Sequence, residues 1–214
     1  EVEGLWLKRN PLQPESAPLI GRLVAKHQGL RTLDLMNTGL LDEGVKVLVP
    51  YLIESRLEDL YLGGLGITAD SAPLLADYLA SSTSLRSFFI NCNRLGDDGI
   101  RELARGLKAN RHLERLSIAS NRIGSDGCAV LCEALADHPT LKLLDLGWTR
   151  ATAALSEGGN RIADQGARQL AKLLRVNPRL IALDISHNRI SQAGLDAISE
   201  AIAEQGSLVF LRSP

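Results

Sequence analysis

Few side chains in this sequence have the type and spacing to do chemistry. Cys128 and Cys132 stand four residues apart, which on a helix puts both thiols on one face. Cys92, in Asn91-Cys92-Asn93, is the third cysteine, and a reactive thiolate there would need a base or cation beside it. His27, His112, His138 and His187 are scattered at no metal-ligand spacing. Gly63-Gly64-Leu65-Gly66 is a glycine-rich turn without the lysine of a phosphate-cradling loop. Arg9, beside Asn10, could stabilise charge in phosphoryl transfer. Arginine follows asparagine again at Asn93-Arg94, Asn121-Arg122, Asn160-Arg161 and Asn188-Arg189, so the pair belongs to a repeating pattern. No catalytic residue, metal site or cofactor is expected.

The elements that would position these residues come from a period of about 28. From Leu113, apolar residues fall at Leu116 and Ile118, followed by Asn121, Ile123, Gly127, Leu131 and Leu135. The same template reads Leu85, Phe88, Ile90, Asn93, Leu95, Gly99, Leu103 and Leu107 one unit earlier, and Leu180 to Ile202 near the end. Units begin at Val2, Leu30, Leu57, Leu85, Leu113, Leu141 and Leu180, with a terminal strand from Leu208. The alternating Leu-x-x-Leu-x-Leu start reads as a half-buried strand. The i, i+3, i+4, i+7 stripe of Cys128, Leu131, Cys132 and Leu135 reads as the inward face of a helix, so both cysteines fill apolar packing positions. Each Asn stands where the chain leaves the strand, and its amide can bond loop backbone that would otherwise be unsatisfied. Asp42, Asp97, Ser125 and Asp164, with Thr68 and Ser191 one template position earlier, are expected to cap the helices that follow. Strands need about 4.8 Å of stacking distance and helices roughly 8–10 Å, so the stack must bend with its strands inside.

Composition narrows the function classes. Lys and Arg total 24 against 25 Asp and Glu, a formal net charge of −1, and no basic stripe points to nucleic acid. No run of 18 apolar residues points to a membrane. Three cysteines without a paired spacing suit a reducing compartment. The chain begins at Glu1, and Val2, Leu5 and Leu7 have no polar cap before them, so the single domain 1–214 is expected to be a fragment of a longer protein.

The unit Leu-x-x-Leu-x-Leu-x-x-Asn-x-Leu, with a glycine and two further leucines, resembles the ribonuclease-inhibitor subtype of leucine-rich repeats. That resemblance implies an α/β solenoid, a right-handed horseshoe arc with parallel strands on its concave face and helices on its convex face. It also implies a non-catalytic protein-recognition module or scaffold, in the cytoplasm of its own cell or, for a bacterial effector, of a host. The alternatives are a GTPase-activating protein like the Ran regulator, resting on Arg9, and a structural segment that self-associates through uncapped solenoid ends.

Departures from the template locate the candidate site. The asparagine position holds Thr38 in the second unit and Leu65 in the third, where neighbouring backbone groups are expected to turn to solvent. After Leu146 the asparagine is displaced to Asn160, an insertion of 11 residues within Gly147–Gly159 whose loop, about 148–158, could fold over the concave face. The central outward strand positions are Trp6, Asp34, Tyr61, Phe89, Ser117, Asp145 and Asp184, so three of the eight aromatic residues stand on this face. Aromatic anchors favour protein interfaces. A protein partner is therefore expected to meet Trp6, Asp34, Tyr61, Phe89, Asn91, Asp145, Trp148 and Asp184, with Tyr61 and Phe89 adjacent.

Overall fold

Each Leu-x-x-Leu-x-Leu segment forms a three-residue strand: β1 (Gly4–Trp6), β2 (Thr32–Asp34), β3 (Asp59–Tyr61), β4 (Ser87–Phe89), β5 (Arg115–Ser117), β6 (Leu143–Asp145), β7 (Ala182–Asp184) and β8 (Phe210–Arg212). The computed structural model describes residues 2–148 and 159–213. Neighbouring strands pair in parallel in sequence order, giving one eight-stranded sheet. The register is one repeat per step, so Leu5, Leu33, Leu60, Phe88, Leu116, Leu144, Leu183 and Leu211 form a row facing the core. From Leu33 to Leu183 these side chains are buried.

Between the strands run α1 (Ala17–Lys26), α2 (Leu41–Ile53), α3 (Ala72–Ser81), α4 (Gly96–Ala109), α5 (Ser125–Leu135), α6 (Ala163–Val176) and α7 (Gln192–Gln205). Short 3-10 turns at Pro14–Ser16 and Ala69–Ser71 lead into α1 and α3. The stripes expected to face inward do so: Cys128, Leu131, Cys132 and Leu135 of α5 lie in the same apolar core as the strand leucines. Close helix packing explains Gly106, where a Cβ would strike the backbone of Ala76 on α3.

The asparagines form a ladder at the strand exits. Asn93 Oδ1 accepts the N–H groups of Leu65, Gly66 and Ile67 at 3.0–3.1 Å, while its Nδ2 donates to the carbonyls of Leu62 and Ile90 at 2.9 Å. Asn160 accepts from Asn121 and Ile123 and donates to Ile118 and Leu146, so the ladder resumes after the insertion. The expected turn to solvent near Leu65 does not occur. Leu65 packs in the core, its own N–H is held by Asn93 of the next repeat, and Thr38 closes the Leu35 carbonyl at 2.7 Å.

The capping expectation also needs correction. Asp42, Asp97 and Asp164 cap no helix of their own and reach instead into the following repeat. Asp42 accepts from Thr68 N–H, Thr68 Oγ1 and Ser71 Oγ. Asp97 accepts Gly124 N–H, and Asp164 accepts from Ser191 N–H and Oγ at 2.7 and 2.6 Å. Ser125 donates to the Ile162 carbonyl, and Ser191 makes no cap bond to α7. Of the expected caps only Thr68 acts locally, accepting Asp70 N–H at the Ala69–Ser71 turn. These residues start a helix less than they tie one repeat to the next.

A second ladder, which the template does not predict, runs past the opposite ends of the strands, where the chain enters them. Asn110 donates to the Leu79 carbonyl and accepts His112 and Leu113 N–H, and Asn177 donates to the Leu135 carbonyl and accepts Arg179 N–H. His138 takes the same position and accepts Leu141 N–H through Nδ1 at 3.2 Å. The clue is a polar residue three places before the first leucine of every unit after the first.

Candidate protein-binding face

The row of outward residues on the sheet runs Trp6, Asp34, Tyr61, Phe89, Ser117, Asp145, Asp184 and Arg212, each paired in register with the next. Tyr61 and Phe89 stack face to face, ring centroids 4.8 Å apart and planes 12° from parallel. Both residues are half-buried. Burial holds the Tyr61 hydroxyl above its ordinary pKa, with the Asp59 carboxylate adding to the shift. Asn91 bonds Cys92 Sγ through Nδ2 at 3.3 Å, and its Oδ1 lies over Gly63, where a Cβ would come within 2.9 Å. Trp6 is 61% exposed at the end of the row, its ring folded back over Gly4.

The aspartates of the row share a local device. In each, Oδ1 accepts the N–H two residues on: Asp34 from Met36 at 3.1 Å, Asp145 from Gly147 at 2.9 Å and Asp184 from Ser186 at 2.9 Å. Each therefore closes the backbone at its strand exit. Asp34 is only 4% exposed and pairs with Lys8 at 3.5 Å, so it presents little surface of its own. Ser117, buried beside Phe89, donates to Asp145 Oδ2 at 2.7 Å. One position beyond the exits, Arg9, Asn37, Gly64, Cys92, Ser120 and His187 all adopt left-handed φ between 52° and 65°. A shared turn thus governs residue types that would not choose it, Arg9 and Cys92 among them.

Toward the C-terminal strands the face opens into a cleft of about 450 Å³ lined by Ala119, Asp145, Trp148, Asp184, His187 and Arg212. The Trp148 indole meets the His187 ring edge-on at 4.8 Å and 63°. The rest of the insertion expected to form a binding loop, residues 149–158, lies outside the described residues. Among the described residues no group of three or more His, Cys, Asp or Glu could hold a metal ion, and no helix is long and apolar enough to cross a membrane. Cys128 and Cys132 are buried, and the hydrogen bond between them, with burial, pushes the Cys132 thiol well above its ordinary pKa, the reverse of an activated nucleophile.

Comparison with known proteins agrees with this architecture. A family model described as leucine-rich repeat matches residues 26–49, 81–104, 109–132 and 176–199. Ribonuclease inhibitor of Mus musculus is 32% identical over 109 residues, and that of Sus scrofa 35% over 109. The chain is a leucine-rich-repeat protein of the ribonuclease-inhibitor type. Each of these matches covers 50% of this chain but 24% of the relative, so the chain spans about a quarter of the relatives' length. A solved structure, the Rad7 and Elc1 complex in yeast, superposes with a TM-score of 0.57 at 22% identity, covering 86% of this chain and 42% of that one. At that identity the likeness concerns the fold alone. Leucine-rich-repeat proteins generally mediate protein–protein interaction, and their repeats supply a sheet whose outward side chains are not needed by the core.

Proposed function

We propose that this leucine-rich-repeat chain is a non-catalytic recognition module that binds a protein partner on its concave face. The carrying observation is the Tyr61–Phe89 stack, two half-buried aromatic rings packed against each other on the outward face of the sheet. Ring pairs of this kind supply large contact area at little entropic cost, as interface anchors do. The nearby Trp6, Asn91 and Met36 side chains extend the patch across β1 to β4. Asp145, Asp184 and Trp148 form a second region at the other end of the same face. Two relatives carry the name ribonuclease inhibitor, a protein named for acting on another protein, which supports a protein as the ligand class.

The test is a capture experiment from lysate of the native cell, comparing wild type with the Tyr61→Ala/Phe89→Ala double variant. Both side chains lie on the sheet surface, so the variant is expected to keep its circular dichroism. A protein retained by wild type and lost by the variant is the expected result. Equal retention by both removes the aromatic patch from the site.

A further inference from the structure

Among the described residues, the carboxylates of the concave face are paired with cations of the chain, with one exception. Asp34 meets Lys8 at 3.5 Å, Asp59 meets Arg115 at 3.0 Å, and Asp184 meets Arg212 at 3.4 Å. Among the described residues, Asp145 has hydrogen bonds from Ser117 and Gly147 but no cation at salt-bridge distance. It is half-buried, and desolvation raises its pKa against the two hydrogen bonds, with a smaller rise from Asp184 that the more distant Arg212 opposes. Its ionised form is thus held at a cost that an incoming cation would relieve.

Its position makes that cation reachable. Asp145 stands in the 450 Å³ cleft, beside Asp184 and the Trp148 indole. Two adjacent repeats carry the small residues Ala119 and Gly147 at the position that holds Lys8, Met36, Gly63, Asn91 and Ser186 elsewhere, which leaves room at this end of the face. A Cβ on Gly147 would collide with the Asp184 carboxylate, so the glycine leaves room for Asp184 over the β6 strand exit. Arg212 already rests a guanidinium on Asp184 from the outer side, which shows the chemistry this wall accepts. An indole beside a carboxylate suits a cationic side chain, whose charge the ring also attracts.

We propose that this cleft takes the side-chain cation of a lysine or arginine presented by the protein partner, placed on Asp145 with its stem along Trp148. The inference rests on the reading of the concave face as protein-binding and names the partner's chemistry at one end of it. The probe is the blocked tripeptide Gly-Arg-Gly, titrated into 15N-labelled protein, with the neutral citrulline analogue as control. Trp148→Phe distinguishes the two indole N–H signals, those of Trp6 and Trp148. The arginine peptide is expected to shift the Trp148 signal saturably, and citrulline or Asp145→Asn to weaken binding roughly tenfold. Asparagine can still accept Gly147 N–H, and should that variant not fold, the arginine–citrulline comparison on wild type decides alone. Equal shifts from both peptides, or no saturable shift, would overturn the proposal. Once a partner is captured, its loss with the Tyr61/Phe89 variant but not with Asp145→Asn sinks the cation site and leaves the concave-face reading standing. Retention by both variants removes the reading itself.

Discussion

Replacing Asn93 with alanine is expected to be among the most damaging single polar deletions in the chain. Asn93 is buried, and its amide serves the N–H groups of Leu65, Gly66 and Ile67 and the carbonyls of Leu62 and Ile90. The Ile90 carbonyl keeps a second donor, Asn121 Nδ2, at 2.9 Å, and Gly66 is accessible enough to take water. The loss therefore falls on two buried N–H groups and the Leu62 carbonyl. At about 1–3 kcal/mol for each orphaned buried group, partly recovered as the loop relaxes, the variant should lose roughly 3–5 kcal/mol. Thr38 offers an internal scale, since its hydroxyl serves one carbonyl, Leu35, and Thr38→Val should cost about 1 kcal/mol. Asn10 is exposed, and Asn10→Ala should cost under about 0.5 kcal/mol. Urea unfolding of the three variants, followed by far-ultraviolet circular dichroism, measures the order directly. If Asn93→Ala costs no more than Thr38→Val, buried backbone satisfaction is not what the ladder supplies, and the reasoning fails.

Two further outcomes follow from the second ladder and the helix layer. His138 is buried and must stay neutral to accept Leu141 N–H through Nδ1; burial first, then the nearby Arg111, lowers its pKa to about 4. The unfolded chain, with an ordinary histidine near 6.5, takes up the proton first, so stability is full above about pH 6.5 and is lost as pH falls toward 4, by roughly 2–3 kcal/mol in all. His138→Asn, matching Asn110 and Asn177, should flatten that part of the pH dependence of the urea midpoint; an unchanged slope would assign it to other groups. Gly106→Ala sets a gain of about 1 kcal/mol in helix propensity against a Cβ driven into the Ala76 backbone. Overpacking of about 1–3 kcal/mol should win, lowering the thermal midpoint, and a raised midpoint would show that α3 and α4 can separate freely.

The repeat made most of the fold legible because strand pattern, asparagine and helix stripe are local and recur. The same template assigned the outward row, and the register places Tyr61 beside Phe89 as read. What it could not give was the direction of a hydrogen bond between repeats. Asp42, Asp97 and Asp164 have the right type and place for caps, yet their carboxylates reach the next repeat, and no single unit contains that information. At Leu65 the template points to solvated backbone because it describes one repeat, whereas Asn93 of the following repeat bonds that loop. The cleft beside Asp145 was illegible for a related reason. It depends on Ala119 and Gly147 being small in adjacent repeats, and on which carboxylates find a cation across strands.

These observations share one physical consequence. The two hydrogen-bond ladders lie at the two ends of the strands, and the apolar core lies behind the sheet, so backbone satisfaction and burial leave much of the outward row unconstrained. The aspartates of that row are half-committed, with one oxygen closing a strand exit and the other turned toward the face. For Asp34 and Asp184 the second oxygen meets a cation from a neighbouring strand. For Asp145, among the described residues, it meets only the Ser117 hydroxyl. The aromatic stack and this carboxylate lie on neighbouring stretches of one sheet, with two strands, β4 and β5, between those of Tyr61 and Asp145 in the pairing order. A partner long enough to touch both would find an apolar anchor at one end and an unmatched negative charge at the other. That asymmetry would orient the partner along the arc, which apolar contact alone would not do.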